Sequence, residues 1–260
     1  MRTLLSLIAL AALAALAPAR AQDAPVIAAA ADLQVVLPEI AKAFKSETGR
    51  EVTLVFGSSG KLTQQIQSGA PFQMLMAADE SFVFKLADAG KTFEGARGDI
   101  YAQGHIGLFV PLGSALQADA KLDDLEAALR DGRVKHLAIA NPDHAPYGRA
   151  AMQALQHRGL WDAAKPLLVL GENVSQTMQF ASSGSAEGGL VPLSLAASPA
   201  LAPLGRFAPI PEEWYAPLRQ RMVVLAGAGE TTRAFYAYVK SPPARALFIK
   251  AGFGSPGESS

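Results

Sequence analysis

From residue 25 onward, short apolar runs alternate with longer segments whose apolar residues recur every three or four positions. No other feature constrains the fold so much. Strands that alternate with crossover helices lead to a parallel sheet covered on both faces. The first run, 25–31, is almost all Val, Ile and Ala. Asp32 follows as a natural N-cap, and Leu33, Val36, Leu37, Ile40, Ala43 and Phe44 predict a helix closed by Gly49. Next come a strand over 51–56, the turn Gly57-Ser58-Ser59-Gly60, and a helix over 61–68 with Leu62, Gln65 and Ile66 inward. Gly69-Ala70-Pro71 breaks that helix, and a buried strand over 73–77 leads into a helix over 79–89.

The same logic repeats further on. Strands are predicted over 104–110, 136–140, 167–171 and 189–191, with helices over 122–129, 147–158 and 174–182. Residues 197–218 are rich in Pro and Ala and read as irregular. A strand over 221–226, helices over 230–240 and 243–250, and a mobile tail from Gly254 complete the reading. The runs at 104–110 and 221–226 are candidate crossings between two α/β lobes. Two lobes joined twice form a hinged clamp around a ligand. The expected division is 22–103 plus 220–260 for one lobe and 104–219 for the other.

At 260 residues the chain is long enough for two such lobes. With 23 basic and 23 acidic residues it carries no electrostatic footprint for nucleic acid. It has no cysteine, which excludes disulfides, thiolate metal sites and a cysteine nucleophile. Residues 1–21 read as a secretory signal peptide. Arg2 is the positive start, Leu4 to Leu16 is rich in Ala and Leu, and Ala19-Arg20-Ala21 fits the cleavage rule before Gln22. About thirteen residues is short of the ~20 that span a bilayer. Without Arg2 and Arg20, the 23 basic residues fall to 21 against 23 acidic ones, a formal charge of −2.

In open α/β sheets, ligands sit beyond the carboxyl ends of the strands. Helix N-termini there offer unpaired N–H groups and the positive end of a dipole, which suit anions. Four junctions qualify: Ala30-Ala31-Asp32, Gly57-Ser58-Ser59-Gly60, Ala145-Pro146-Tyr147-Gly148 and Asn173-Val174-Ser175. On this chemistry alone, Asp32 and Ser59 are better explained as helix caps than as ligand contacts. The histidines at 105, 136, 144 and 157 have no metal-ligand spacing. His144 reads as a solvated loop residue close to Tyr147, Arg149 as a surface helix residue, and Trp161 and Trp214 as packing anchors. The nucleophile elbow G-x-S-x-G is absent and no acid–base pair is visible, so an enzyme such as a periplasmic hydrolase is disfavoured.

The chain resembles the molybdate-binding proteins of ABC importers. The resemblance rests on FGSSGKL (56–62), QIQSGAPF (65–72), IANPDHAPYGRAA (139–151), GENVSQTMQ (171–179) and SGSAEGGLVPLS (183–194), in one order along nearly the whole mature chain. It implies a two-lobed periplasmic clamp, each lobe a mostly parallel sheet flanked by helices. It also implies a monomer without cofactor that captures molybdate, and tungstate with it, and delivers the ion to a membrane permease. Carried over by position, the implied ligand-binding residues are Ala31, Asp32, Ser59, Tyr147 and Val174. Ser58 and Pro192 stand at the cleft rim, and no metal-cation ligands are implied. Some family members use a second-lobe tyrosine where this chain has Pro192, and Tyr147 is the candidate substitute.

The first-turn position usually holds Ser, Thr or Asn in this family, and here it is Asp32. An ionised carboxylate only accepts hydrogen bonds. At contact distance it repels each unit of negative charge by about 4 kcal/mol at an effective dielectric near 20. Three readings stay open. Asp32 turns away and caps its helix, it accepts a proton from a protonated oxyanion such as hydrogen phosphate or arsenate, or the site takes a metal-containing or cationic solute.

Overall fold

The computed structural model describes residues 24–256, so the expected signal segment lies outside the described residues. The first lobe opens with β1 (Val26–Ala30), α1 (Val36–Thr48), β2 (Thr53–Gly57), α2 (Ser59–Gln67), β3 (Phe72–Ala77), α3 (Glu80–Asp88) and β4 (Asp99–Gly104). A single residue, His105, separates β4 from β5 (Ile106–Pro111), the first strand of the second lobe. That lobe continues with α4 (Asp123–Asp131), β6 (Leu137–Ala140), α5 (Pro146–His157), β7 (Leu168–Gly171), α6 (Val174–Ser182), β8 (Gly188–Pro192) and β9 (Gly205–Pro209). The chain then returns to the first lobe as β10 (Leu218–Val224), α7 (Glu230–Val239) and α8 (Pro242–Lys250).

The two sheets have matching strand orders, β2-β1-β3-β10-β4 and β7-β6-β8-β5-β9. Within each, β10 or β5 pairs antiparallel with both neighbours and the other four strands share one direction. The reversed strand is the one that receives the chain from the other lobe. The parallel strands end at the cleft, so a strand entering from the cleft must run against them.

Both faces of the first sheet are buried, as parallel sheets require. Along β1 and β3, Ile27, Ala29, Met74 and Met76 pack on one side with Phe44 of α1, Phe235 of α7 and Phe248 of α8. Ala28, Leu75 and Ala77 pack on the other with Leu62 and Ile66 of α2 and Val83 and Leu86 of α3. The period of two in the strands and the near-four spacing of Val36, Leu37, Ile40 and Phe44 in α1 account for this sandwich. Gly49 ends α1 in the left-handed region, at φ 71°, and its N–H bonds to the Lys45 carbonyl at 2.8 Å. The core of the second lobe includes Leu108, Ile139, Leu155 and Leu190, and it reaches across the cleft to Ala30, Ala31 and Ala78.

Several boundaries differ from the sequence reading. A separate strand, β4, precedes His105, and the predicted strand at 104–110 begins only at Ile106. The second crossing lies between β9 and β10, so β10 starts at Leu218 rather than 221. The stretch 197–218 is not irregular throughout: Gly205–Pro209 pairs along β5, where an edge strand tolerates its terminal Pro209. Gln65 is exposed, and Thr63 takes the inward place beside Leu62 and Ile66. Gly254 is not loose, because it exchanges backbone hydrogen bonds with Gln103 at 2.9 and 3.0 Å.

Helix α5 sits tight against the end of β6. A methyl at Gly148 would overlap the Ala140 carbonyl, so this residue sets how closely the helix start approaches the strand. Gly148→Ala is expected to cost about 1–3 kcal/mol of stability. The cost should appear as a lower urea midpoint at unchanged m-value, and an unchanged midpoint would show that the contact gives way.

Candidate functional site

Four helical starts converge where the two lobes meet. The small pocket there, about 200 Å³ counting space open to solvent, is lined by segments 30–32, 57–59, 145–147 and 173–174 together with Ala78. Among the lining residues Asp32 is the only one with a charged side chain, and none is basic.

The local chemistry leaves N–H groups facing inward. In α6, the Asn173 side chain accepts from Ser175 N at 3.0 Å and Gln176 N at 3.2 Å. That caps the second and third amides and leaves the first, on Val174, for the cavity. In α5, Pro146 occupies the first position, where a missing N–H costs nothing, and Tyr147 presents the first free amide. In α2, Ser58 is the N-cap residue without a side-chain cap, and Ser59 opens the helix. The Ser59 hydroxyl accepts from Ala78 N at 2.9 Å, which orients it and leaves its own proton to donate.

The sequence-predicted residues Ala31, Asp32, Ser59, Tyr147 and Val174 therefore all line one cavity, and Ser58 lines it too. Pro192 does not line it; it ends β8 opposite Ile106. The helical stretch after Pro192 contributes instead through Ser194, whose hydroxyl donates to the Asp32 carbonyl at 2.9 Å.

Asp32 is fully buried, and its carboxylate caps no helix. The capping reading is thus overturned. The reason is that Tyr147 and Gln220 claim the side chain. The Tyr147 hydroxyl donates to Asp32 Oδ2 at 2.9 Å, and Gln220 Nε2 donates to the same oxygen. Gln220 Nε2 also meets the Tyr147 hydroxyl at 2.9 Å, and the Tyr101 hydroxyl donates to Gln220 Oε1 at 2.6 Å. Asp32 Oδ1 is buried and makes no hydrogen bond to another residue. Burial pushes the Asp32 carboxyl up to about 6, against the downward pull of the Gln220 and Tyr147 hydrogen bonds. Burial first, and the Asp32 charge second, hold the Tyr147 and Tyr101 phenols well above their ordinary value, so both remain donors.

Tyr147 reaches Asp32 only because residue 104 is glycine. A methyl there would overlap the phenol oxygen and come within 2.9 Å of Gln220 Nε2. Gln220, Tyr101 and Gly104 were missed by sequence reasoning. One signal was available: Leu218, Gln220 and Met222 alternate with Arg219 and Arg221, which places a polar residue on the inner face of a strand.

Around the cavity the lobes are joined by direct contacts. Gly60 N donates to the His144 carbonyl at 2.9 Å, and His144 Nδ1 lies 2.9 Å from the Ser58 hydroxyl. His144 thus bridges the lobes through Ser58 and Gly60 rather than standing solvated, and its Nε2 lies 3.4 Å from Glu172 of its own lobe. Arg149 likewise spans the lobes, 3.7 Å from Asp79. A methyl at Gly60 would stand 2.6 Å from the His144 carbonyl oxygen, so that contact requires glycine. Among the described residues no group of three or more His, Cys, Asp or Glu could hold a metal ion.

The buried carboxyl has a measurable consequence. Its folded value of about 6 lies above its ordinary 3.8, so the folded chain holds the proton more tightly than the unfolded chain does. The group's contribution is fully present below about pH 4 and is lost as pH rises through 6. Asp32→Asn does not titrate. Relative to the parent, its unfolding free energy is expected to gain about 2 kcal/mol between pH 4 and pH 7. Urea denaturation across that range checks this, and a constant gap would mean that burial does not raise the carboxyl.

Comparison with known proteins agrees with this architecture. The profile of the bacterial extracellular solute-binding proteins matches residues 25–254. The molybdate-binding protein ModA of Azotobacter vinelandii is 37% identical over 230 residues, 88% of each chain. ModA of Rhodobacter capsulatus is 34% identical over 231 residues, 88% of this chain and 87% of that one. The solved periplasmic molybdate-binding protein of Azotobacter vinelandii superposes with a TM-score of 0.78 at 31% identity, covering 89% of this chain and 99% of that one. The sulfate-binding protein SubI of Mycobacterium tuberculosis shares the fold, with a TM-score of 0.74 at 16% identity over 91% of this chain and 88% of that one. By the profile match and these relatives, the chain belongs to the bacterial extracellular solute-binding proteins.

Proposed function

We propose that this protein captures molybdate, and tungstate with it, in the interlobe cavity and delivers the ion to the membrane permease of an ABC importer. One observation carries the reading. Four helical starts, with N–H groups and the Ser59 hydroxyl, surround a small pocket without a cation in its lining. Neutral donors and dipoles that are fixed before binding stabilise a tetrahedral dianion without an ion pair. The relatives named for molybdate binding support the same ligand. Cavity size separates the candidates, since molybdate and tungstate are nearly equal in radius and sulfate is smaller.

In this reading Ala31, Asp32, Ser59, Tyr147 and Val174 hold the ion. Ser59 gives its hydroxyl and amide, and Tyr147 and Val174 give their amides. Because the Tyr147 phenol already donates to Asp32, its proton is not free for the anion. Residues 22–103 with 220–260 and residues 104–219 move as two bodies about the crossings at His105 and 210–217. Residues 1–21 direct export to the periplasm and are cleaved before Gln22. The protein acts as a monomer, without cofactor and without catalysis.

A second reading is favoured by the unpartnered Asp32 Oδ1. A protonated oxyanion, hydrogen phosphate or hydrogen arsenate, would donate to it. A thermal-shift panel at pH 7 separates the two, because binding to the folded state raises the melting temperature. A rise with molybdate and tungstate but not sulfate, phosphate or arsenate is expected. A rise with phosphate or arsenate alone would move the assignment to the second reading. Ser59→Ala is expected to weaken molybdate binding by about 1–3 kcal/mol in isothermal titration, and an unchanged affinity would remove Ser59 from the site.

A further inference from the structure

We propose that Asp32 takes up one proton on Oδ1 as molybdate binds, so that the complex holds the ion together with a proton. The inference rests on the reading of molybdate as ligand.

Its basis is the asymmetry of one carboxyl group. Oδ2 accepts from both Tyr147 and Gln220, and neither donor has another carboxylate to turn to. Oδ1 is buried and makes no hydrogen bond to another residue, and Asp32 is among the residues that line the cavity. A carboxyl arranged in this way has one place for a proton. Protonated there, it keeps both bonds to Oδ2 and becomes a donor toward the cavity. It then offers a hydrogen-bond donor at this turn, as a Ser, Thr or Asn side chain would. Ionised, it sets a negative charge against a dianion in a cavity without any cation. Molybdate carries no proton near neutral pH, so the proton comes from solvent.

The surroundings leave no other group to supply or stabilise that charge. Tyr147 of α5 faces the carboxyl directly, and Tyr101 of β4 stands behind Gln220 of β10. Strand β2, helix α6 and the turn Leu193–Ala196, which pack against Ala31–Leu33, carry no ionisable side chain. The free carboxyl already sits near 6, and a dianion beside it raises it further. Above pH 6, binding must therefore draw in a proton, and affinity falls as pH rises. The imidazole of His144 contacts Ser58 and Glu172, and His144 is absent from the cavity lining.

Isothermal titration of the full mature chain with sodium molybdate, at pH 7.5 in buffers of different ionisation enthalpy, counts the protons. Close to one proton taken up per ion bound is expected. The dissociation constant of the parent should rise about tenfold per pH unit between 6.5 and 8.5, the slope of a single linked proton. Asp32→Asn, of the same shape and always a donor, should bind with no proton uptake and a flat profile, and tighter than the parent at pH 8.5. Binding by the parent without proton uptake would overturn the inference and leave the ligand assignment standing. Uptake that persists in Asp32→Asn would assign the proton elsewhere, to His144 first, and overturn it as well. Molybdate binding to neither protein at any pH would overturn the ligand assignment and this inference with it.

Discussion

The hydrogen bonds that gather on Asp32 Oδ2 hold the closed molecule together at its centre. Asp32 comes from the first turn of the first lobe, Tyr147 from the start of a second-lobe helix, and Gln220 from the strand that carries the chain back between them. One buried carboxylate oxygen thus joins Tyr147 of the second lobe to Asp32 and Gln220 of the first. Its cost is the burial of a charge, which raises the carboxyl toward neutrality. Two requirements radiate from this knot. Residue 104 must lack a side chain for Tyr147 to reach Asp32, and Tyr101 must hold Gln220 with its amide nitrogen turned inward.

Around that knot the site is built from backbone. The chain has as many acidic as basic residues, 23 of each, and the cavity lining has no basic residue. Attraction for an anion therefore comes from local dipoles, which fall off within a turn of the helix ends. The parallel strands end at the cleft, so each following helix begins there, and topology alone delivers the amides to one place. The glycines at 60, 104 and 148 then set distances, because each stands where a methyl would strike a neighbouring backbone or phenol oxygen.

Much of this was legible beforehand. The alternation of Ile27 with Ala28 and of Met74 with Leu75 marks strands buried on both faces, and the spacing through Phe44 marks a helix. Both are local periodicities that survive in any tertiary setting. The short strand β9 was hidden because its residues, Gly205 to Pro209, have poor strand propensity and are held by pairing along β5. The fate of Asp32 was hidden for a related reason. An aspartate at a helix start has a local use as a cap, and only Tyr147 and Gln220, 115 and 188 residues away, divert it. His144 and Arg149 look like surface residues in the sequence and become bridges only when the other lobe arrives.

By itself, the sequence determined the α/β class, the doubled clamp, the four small-residue turns and the family resemblance. Each of these depends on short-range pattern or on a run of matching residues. The tertiary structure alone decided which turns share a cavity, which oxygen of Asp32 is occupied, and which polar residues span the lobes. Those outcomes depend on contacts between residues far apart in the chain. In such contacts burial and partner geometry, rather than local propensity, determine which hydrogen bonds are made.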